Sequence, residues 1–176
     1  MGLIKSYSNK KVVKEYQLPS IFLAGPTNRD HITEWRIEAC KILEDNGFGG
    51  VVYIPEYLNE TFDNTRITEQ CLWEREALEY ADCLLFWIPR SIKDDMPAFT
   101  TNVEFGTYLQ RKPSQMVYGY PMEADKMRYL DWLYQYEKGP DANIYHSLTC
   151  AVEKAQEVAE WVKTQYHIGF GEYYVI

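Results

Sequence analysis

Four short apolar runs, separated by stretches of helical periodicity, restrict this chain to few architectures. They are Ser20-Ile21-Phe22-Leu23-Ala24, Val51-Val52-Tyr53-Ile54, Cys83-Leu84-Leu85-Phe86-Trp87-Ile88 and Gln115-Met116-Val117-Tyr118-Gly119. Each is too short for a core helix and nearly free of polar residues, which marks a strand buried on both faces. Between them the apolar spacing turns helical. One helix is expected from about Ile32 to Asn46, with Ile32, Trp35, Ala39, Ile42 and Leu43 on one face. A second spans about Arg66 to Ala81, and a third begins near Thr101. After the fourth run, Lys126 to Glu137 reads as helix and Asn143-Ile144-Tyr145-His146 as a weak fifth strand. The last helix, about Leu148 to Gln165, carries a stripe of Leu148, Ala151, Ala155, Val158 and Val162. Strands alternating with helices in this way predict an α/β, flavodoxin-like (Rossmann-like) fold: a five-stranded parallel sheet with helices on both faces. Residues 1–18 are polar and mildly basic, an N-terminal arm with a short edge strand around Val12-Val13. Residues 19–176 form a single domain, well within the length one core can support.

In the flavodoxin-like order the first and third strands flank the point where the order reverses, and ligands bind there beyond the carboxyl ends of the strands. The cleft is therefore expected between the loops after Ala24 and after Ile88. The second loop leads into Thr100-Thr101-Asn102-Val103-Glu104-Phe105-Gly106. With a helix starting near Thr101, Glu104 lies in its first turn, where the helix dipole favours an ionised carboxylate. Such a carboxylate suits nucleophilic attack at a sugar carbon. Thr101-x-x-Glu104 is equally a capping box, in which Glu104 only satisfies a backbone N–H. A second carboxylate lies on the preceding helix, where Ile67, Cys71 and Leu78 mark an apolar stripe and Glu74 falls on it. A carboxylate there is either used or paired, with Arg75, Arg66 or Arg36 as the partner.

Other residues near the expected cleft carry weaker signals. Gly25, in Ala24-Gly25-Pro26-Thr27, lets a backbone approach a ligand closely, but the chain has no G-x-G-x-x-G and no P-loop. Trp87, just before Pro89, serves equally well as a stacking surface or a core residue. Asp82 reads as a local turn or cap, and Arg90 and Lys93 as a phosphate grip or solvated charges. The candidate substrate-binding residues are Ala24, Gly25, Pro26, Thr27, Trp87, Pro89, Thr101 and Asn102.

Composition narrows the partners. The 15 Tyr, 7 Phe and 5 Trp provide surplus flat surface for stacking a ring or filling a subunit interface. A net charge of −8 argues against a nucleic-acid polymer and for small ligands. No run approaches the ~20 apolar residues that cross a bilayer, and no signal-peptide core opens the chain, so a cytoplasmic protein without membrane contact is expected. Cys40, Cys71, Cys83 and Cys150 form no C-x-x-C pair and read as buried, reduced thiols. His31, His146 and His167 show no metal-ligand spacing, so neither metal nor cofactor is expected.

Taken together, Phe22-Leu23-Ala24-Gly25-Pro26, Trp73-Glu74 with Ala81-Asp82 eight residues after Glu74, and Asn102-Val103-Glu104-Phe105-Gly106 resemble the nucleoside 2-deoxyribosyltransferase family. The likeness is greatest to its deoxyribosyltransferase-like branch and runs from about Ser20 to Val117. It implies a flavodoxin-like fold and transfer of 2-deoxyribose between nucleobases by double displacement. By resemblance Glu104, in an E-x-G motif, attacks C1′ of the sugar. Glu74, where the family usually has Asp, contacts the base and helps move its proton. The glycines and Asp that the family places before the nucleophile are replaced by Ala98-Phe99-Thr100-Thr101-Asn102. The implied partners are nucleosides or nucleotides and free nucleobases. The resemblance also implies a homo-oligomer whose neighbouring subunits complete the sites, which the tail Tyr173-Tyr174-Val175-Ile176 suits. For the two carboxyls, a raised pKa is expected at the acid and a low one at the nucleophile. A nucleoside or nucleotide N-glycosidase, with Arg90 and Lys93 gripping a 5′-phosphate, is the nearest alternative. A non-catalytic nucleotide-binding module is the other.

Overall fold

The four apolar runs do become parallel strands, and a fifth joins them from the N-terminal arm. The computed structural model describes residues 2–27, 33–60, 64–94 and 96–171. Its elements are β1 (Ile4–Tyr7), β2 (Ser20–Ala24), α1 (Glu34–Asp45), β3 (Val51–Ile54), α2 (Ile67–Tyr80), β4 (Cys83–Trp87), α3 (Phe99–Arg111), β5 (Met116–Gly119), α4 (Arg128–Lys138) and α5 (Leu148–Gly171). The sheet order is β1-β3-β2-β4-β5, all parallel. β2 thus pairs with β3 on one side and β4 on the other, which is the expected reversal point. His31, Ile32 and the tail Tyr173-Tyr174-Val175-Ile176 lie outside the described residues.

Every residue of the three central strands is buried, because helices cover both faces of the sheet. On one face Phe22, Tyr53, Phe86 and Tyr118 pack against α2, α3 and α4 through Trp73, Ala77, Phe105 and Tyr134. On the other, Ile21, Leu23, Val52 and Leu85 meet α1 and α5 through Trp35, Ala39, Leu43, Ala151 and Ala155. The small alanines of α5 let that helix lie close against the sheet. Among the described residues no helix is long and apolar enough to cross a membrane.

Three expectations are corrected. The edge strand of the arm is Ile4–Tyr7, paired with β3, and not the Val12-Val13 stretch. Asn143-Ile144-Tyr145-His146 forms no strand. It contributes one bridge, Tyr145 to Gly119, at the last residue of the four-residue β5. Cys71 and Cys150 are exposed, whereas Cys40 and Cys83 are buried, and all four thiols are free.

Asp82 sits at the amino end of β4 and acts over a long range. It accepts a hydrogen bond from the Ser20 hydroxyl at 2.7 Å and pairs with Lys163 of α5 at 3.1 Å. It lies at the opposite edge of the sheet from the loops that follow β2 and β4.

Gly106 lies within α3, and a Cβ built there meets nothing within 4 Å. Gly106→Ala should therefore raise stability by about 0.5–1 kcal/mol, as removal of a helix-interior glycine does. Urea unfolding measures this, and a lower midpoint would mean that another surface packs against the position.

Candidate active site

Beyond the carboxyl ends of β2, β3 and β4 lies an open cleft of about 810 Å³. Its walls are Phe22 and Ala24–Thr27 from β2 and its loop, Pro55–Tyr57 after β3, the cleft side of α2, and 94 and 96–101 with Glu104 at the start of α3. The reversal of strand order places these loops together, as doubly wound sheets do.

The floor is built around Arg36, whose side chain is wholly buried. Its Nε donates to the Leu23 carbonyl at 3.1 Å, and its Nη2 to the Gly25 carbonyl at 2.9 Å. Nη1 donates to the Pro26 carbonyl at 3.0 Å, to Thr33 Oγ1 at 2.8 Å and to Glu56 Oε1 at 2.8 Å. Glu56 in turn accepts from the Thr33 hydroxyl at 2.6 Å and from the Thr33 backbone N–H. One guanidinium thus gathers the loop after β2, the start of α1 and the first residues after β3. Burial pulls the pKa of Arg36 down, while Glu56, and more weakly Glu74 and Glu104, pull it back up. Sequence reasoning treated Arg36 only as one possible partner of Glu74 and missed Glu56. A signal was present, since Arg36 shares the buried side of α1 with Ala39, Cys40 and Leu43.

Glu74 and Glu104 both line the cleft. Glu74 shares a face of α2 with Ile67 and Cys71 as expected, but that face borders the cleft and Ile67 and Cys71 are exposed on it. The core side of α2 is carried by Trp73, Ala77 and Leu78. Gln70, one turn before Glu74, donates from Nε2 to Glu74 Oε1 at 2.7 Å. Neither Arg75 nor Arg66 pairs with Glu74, and Arg66 pairs with Glu60 and Glu69 instead.

The capping box does not form. The chain turns into α3 at Ala98, whose left-handed φ of 57° follows Pro97, and the helix begins at Phe99. Thr101 is the third helical residue and Glu104 the sixth, so Glu104 lies beyond the first turn and outside the dipole's short reach. Burial pushes its carboxyl from 4.5 up to about 8, with the charge of Glu74 adding to the rise and Arg36 opposing it. Glu74 is also raised by burial, but Gln70 and Arg36 both favour its ionised form. Burial thus keeps a proton on Glu104 toward neutral pH, while Glu74 alone has a hydrogen-bond donor, Gln70, on its carboxyl. This overturns the expectation of a low pKa at Glu104, because no described residue donates a hydrogen bond to it and the dipole is too far.

The remaining candidates divide. Ala24, Gly25, Pro26, Thr27 and Thr101 line the cleft; Trp87, Pro89 and Asn102 do not. The Trp87 ring belongs to the core on the α1 and α5 face. Gly25 is required for internal packing, because a Cβ there would come within 2.2 Å of the Trp87 carbonyl and 2.8 Å of the Trp35 ring. Asn102 accepts from Arg90, whose Nη1 also donates to the Lys126 carbonyl at 3.0 Å. Five carboxylates line the cleft (Glu56, Glu60, Glu74, Asp94 and Glu104), and among the described residues no Lys, Arg or His does. No three described His, Cys, Asp or Glu side chains are grouped to hold a metal ion.

A doubly wound α/β sheet with two interacting carboxyls in its crevice has the makings of an enzyme that works on a glycosidic bond. The family model described as nucleoside 2-deoxyribosyltransferase like matches residues 18–121, more than half of the chain, and the protein belongs to that family. The match takes in β2 through β5 and every wall of the cleft, leaving β1, α4 and α5 outside it. No curated protein matches the chain.

Two outcomes follow from the charges. Arg36→Met would leave Glu56 buried and unpaired, and should cost about 3–5 kcal/mol. Arg36→Met with Glu56→Gln should recover part of that loss in urea unfolding, and a single-variant loss below about 1 kcal/mol would contradict the central role of Arg36. The raised pKa of Glu104 means that the folded state binds a proton that an ordinary unfolded Glu has already released. Stability from this group is therefore greatest below about pH 4.5 and falls as pH rises toward about 8. Glu104→Gln should melt higher than wild type at pH 8 and lose that advantage by pH 4. A pH-independent difference would mean that Glu104 titrates normally.

Proposed function

We propose that this protein transfers 2-deoxyribose between nucleobases by double displacement, with Glu104 as the nucleophile and Glu74 moving the proton of the base. One observation carries the reading: two coupled carboxyls, both with raised pKa, line one cleft in a chain of this family. Two carboxyls with raised pKa values in one cleft have what the reaction needs, one oxygen to attack and a proton to give to the departing base. As the C1′–N bond breaks, its electron pair stays on the base and that proton goes to a ring nitrogen. A Glu104 oxygen bonds to C1′ through an oxocarbenium-like transition state. A second base then passes its N–H proton to Glu74 and attacks the sugar ester from the face the first base left, breaking the C1′–O bond, returning the Glu104 carboxylate and retaining configuration.

The grip proposed for a nucleotide N-glycosidase has no support, since Arg90 is spent on Asn102 and Lys126 and neither Arg90 nor Lys93 lines the cleft.

Glu104→Gln should keep the fold and lose several orders of magnitude in transfer, roughly the loss seen when a covalent nucleophile is neutralised. Wild type given a 2-deoxynucleoside without acceptor should gain the mass of one deoxyribosyl group on the peptide containing Glu104. Its kcat/KM should fall above about pH 8 as the proton for the departing base is lost. Free deoxyribose in place of the adduct would make the protein a hydrolase. Binding without turnover, unchanged by Glu104→Gln, would make it a binding module.

A further inference from the structure

Gln70 lies on α2 one turn before Glu74, is 8% exposed and borders the cleft. The orientation of its amide follows from its neighbours. Nε2 faces Glu74 Oε1 at 2.7 Å and the Pro55 carbonyl at 3.4 Å, and both are acceptors. A flipped amide would set oxygen against oxygen at both contacts, so the nitrogen must face them. Oε1 is then the atom left over. It is sheltered from solvent, and among the described residues none donates to it. A buried acceptor without a donor is costly, and such a group persists where something supplies the donor in use.

On the transferase reading of the cleft, we infer that Gln70 selects the base: its Oε1, beside the Glu74 carboxylate, accepts a hydrogen bond from an exocyclic amino group. Both side chains line the cleft one helical turn apart, Glu74 with its carboxylate and Gln70 with an unmatched Oε1, and an amino-bearing base offers the matching edge. In a 6-aminopurine the amino group adjoins N7, and in a 4-aminopyrimidine it adjoins N3. Once that ring nitrogen has taken the proton, the edge presents two adjacent donors. In the oxo counterparts a carbonyl stands where the amino group was, and it meets Oε1 acceptor to acceptor. Gln70 cannot flip to suit an oxo base without turning its oxygen onto Pro55 and Glu74. The glutamine χ3 torsion is soft, so the amide can roll toward a bound base while Nε2 stays on Glu74.

Calorimetric titration of the full chain with free adenine, hypoxanthine, cytosine and uracil at pH 7 tests this directly. Adenine should bind at least about tenfold tighter than hypoxanthine, and cytosine than uracil, as an unmatched buried acceptor demands. In Gln70→Met both ratios should fall close to one, whatever happens to the affinities themselves. Equal binding by wild type, no measurable binding, or a preference that survives in Gln70→Met overturns the inference. Base binding does not require sugar transfer, so the two readings fail separately. A chain that discriminates these bases but never moves deoxyribose loses the transferase reading alone, and one that transfers without discriminating loses this one.

Discussion

Arg36 is a full positive charge with no exposed surface, and the carboxyl edge of the sheet is arranged around neutralising it. An isolated buried guanidinium would cost several kcal/mol in lost hydration. Here Glu56 supplies the countercharge, and the carbonyls of Leu23, Gly25 and Pro26 with the Thr33 hydroxyl occupy the other donors. Those partners come from three separate segments, so satisfying one side chain fixes the loop after β2, the entry to α1 and the exit from β3 relative to one another. These segments form one wall of the cleft. The close contact of Gly25 with the Trp87 carbonyl joins that wall to the end of β4.

The same charge governs the chemistry available above it. Glu74 and Glu104 are both desolvated, and two neighbouring carboxylates that both lose their protons repel each other. Arg36 lowers that penalty for both, and Gln70 adds a hydrogen bond for Glu74 only. The pair is therefore asymmetric, with a hydrogen-bond donor on the carboxyl of α2 alone. A nucleophile that begins protonated is no obstacle when the neighbouring carboxylate lies in the same cleft, because the pair needs only to redistribute one proton as the glycosidic bond breaks.

The two faces of the sheet divide the work. α1 and α5 cover one face, α5 with small residues and α1 with Trp35, Ala39 and Leu43, and the Asp82–Lys163 pair pins α5 at the far edge. On the other face Phe105 packs edge-on to Phe86 and Tyr118, at 5.4 Å and 4.8 Å between ring centres. Phe105 is the neighbour of Glu104 in α3, so this aromatic contact sets the helix rotation that points the carboxyl at the cleft.

Four of the five parallel strands were legible as apolar runs, because a strand covered on both faces must be apolar throughout, and their spacing located the cleft between the loops after β2 and β4. The two carboxylates were legible as well, one beside a strand end and one as a charge on an apolar stripe. What the sequence left open depends on contacts between distant segments. The start of α3 moved from Thr101 to Phe99 because Ala98 takes a left-handed turn, and with it the capping box and the dipole argument disappeared. The outward side of α2 could not be assigned from periodicity, since Ile67 and Cys71 are apolar yet border the cleft. The polar arm hid a true edge strand at Ile4–Tyr7, because an edge strand is half-exposed and lacks a buried strand's composition. The raised pKa values of both carboxyls come from desolvation, opposed by Arg36 and, at Glu74, by Gln70, and only the folded chain brings these to one place.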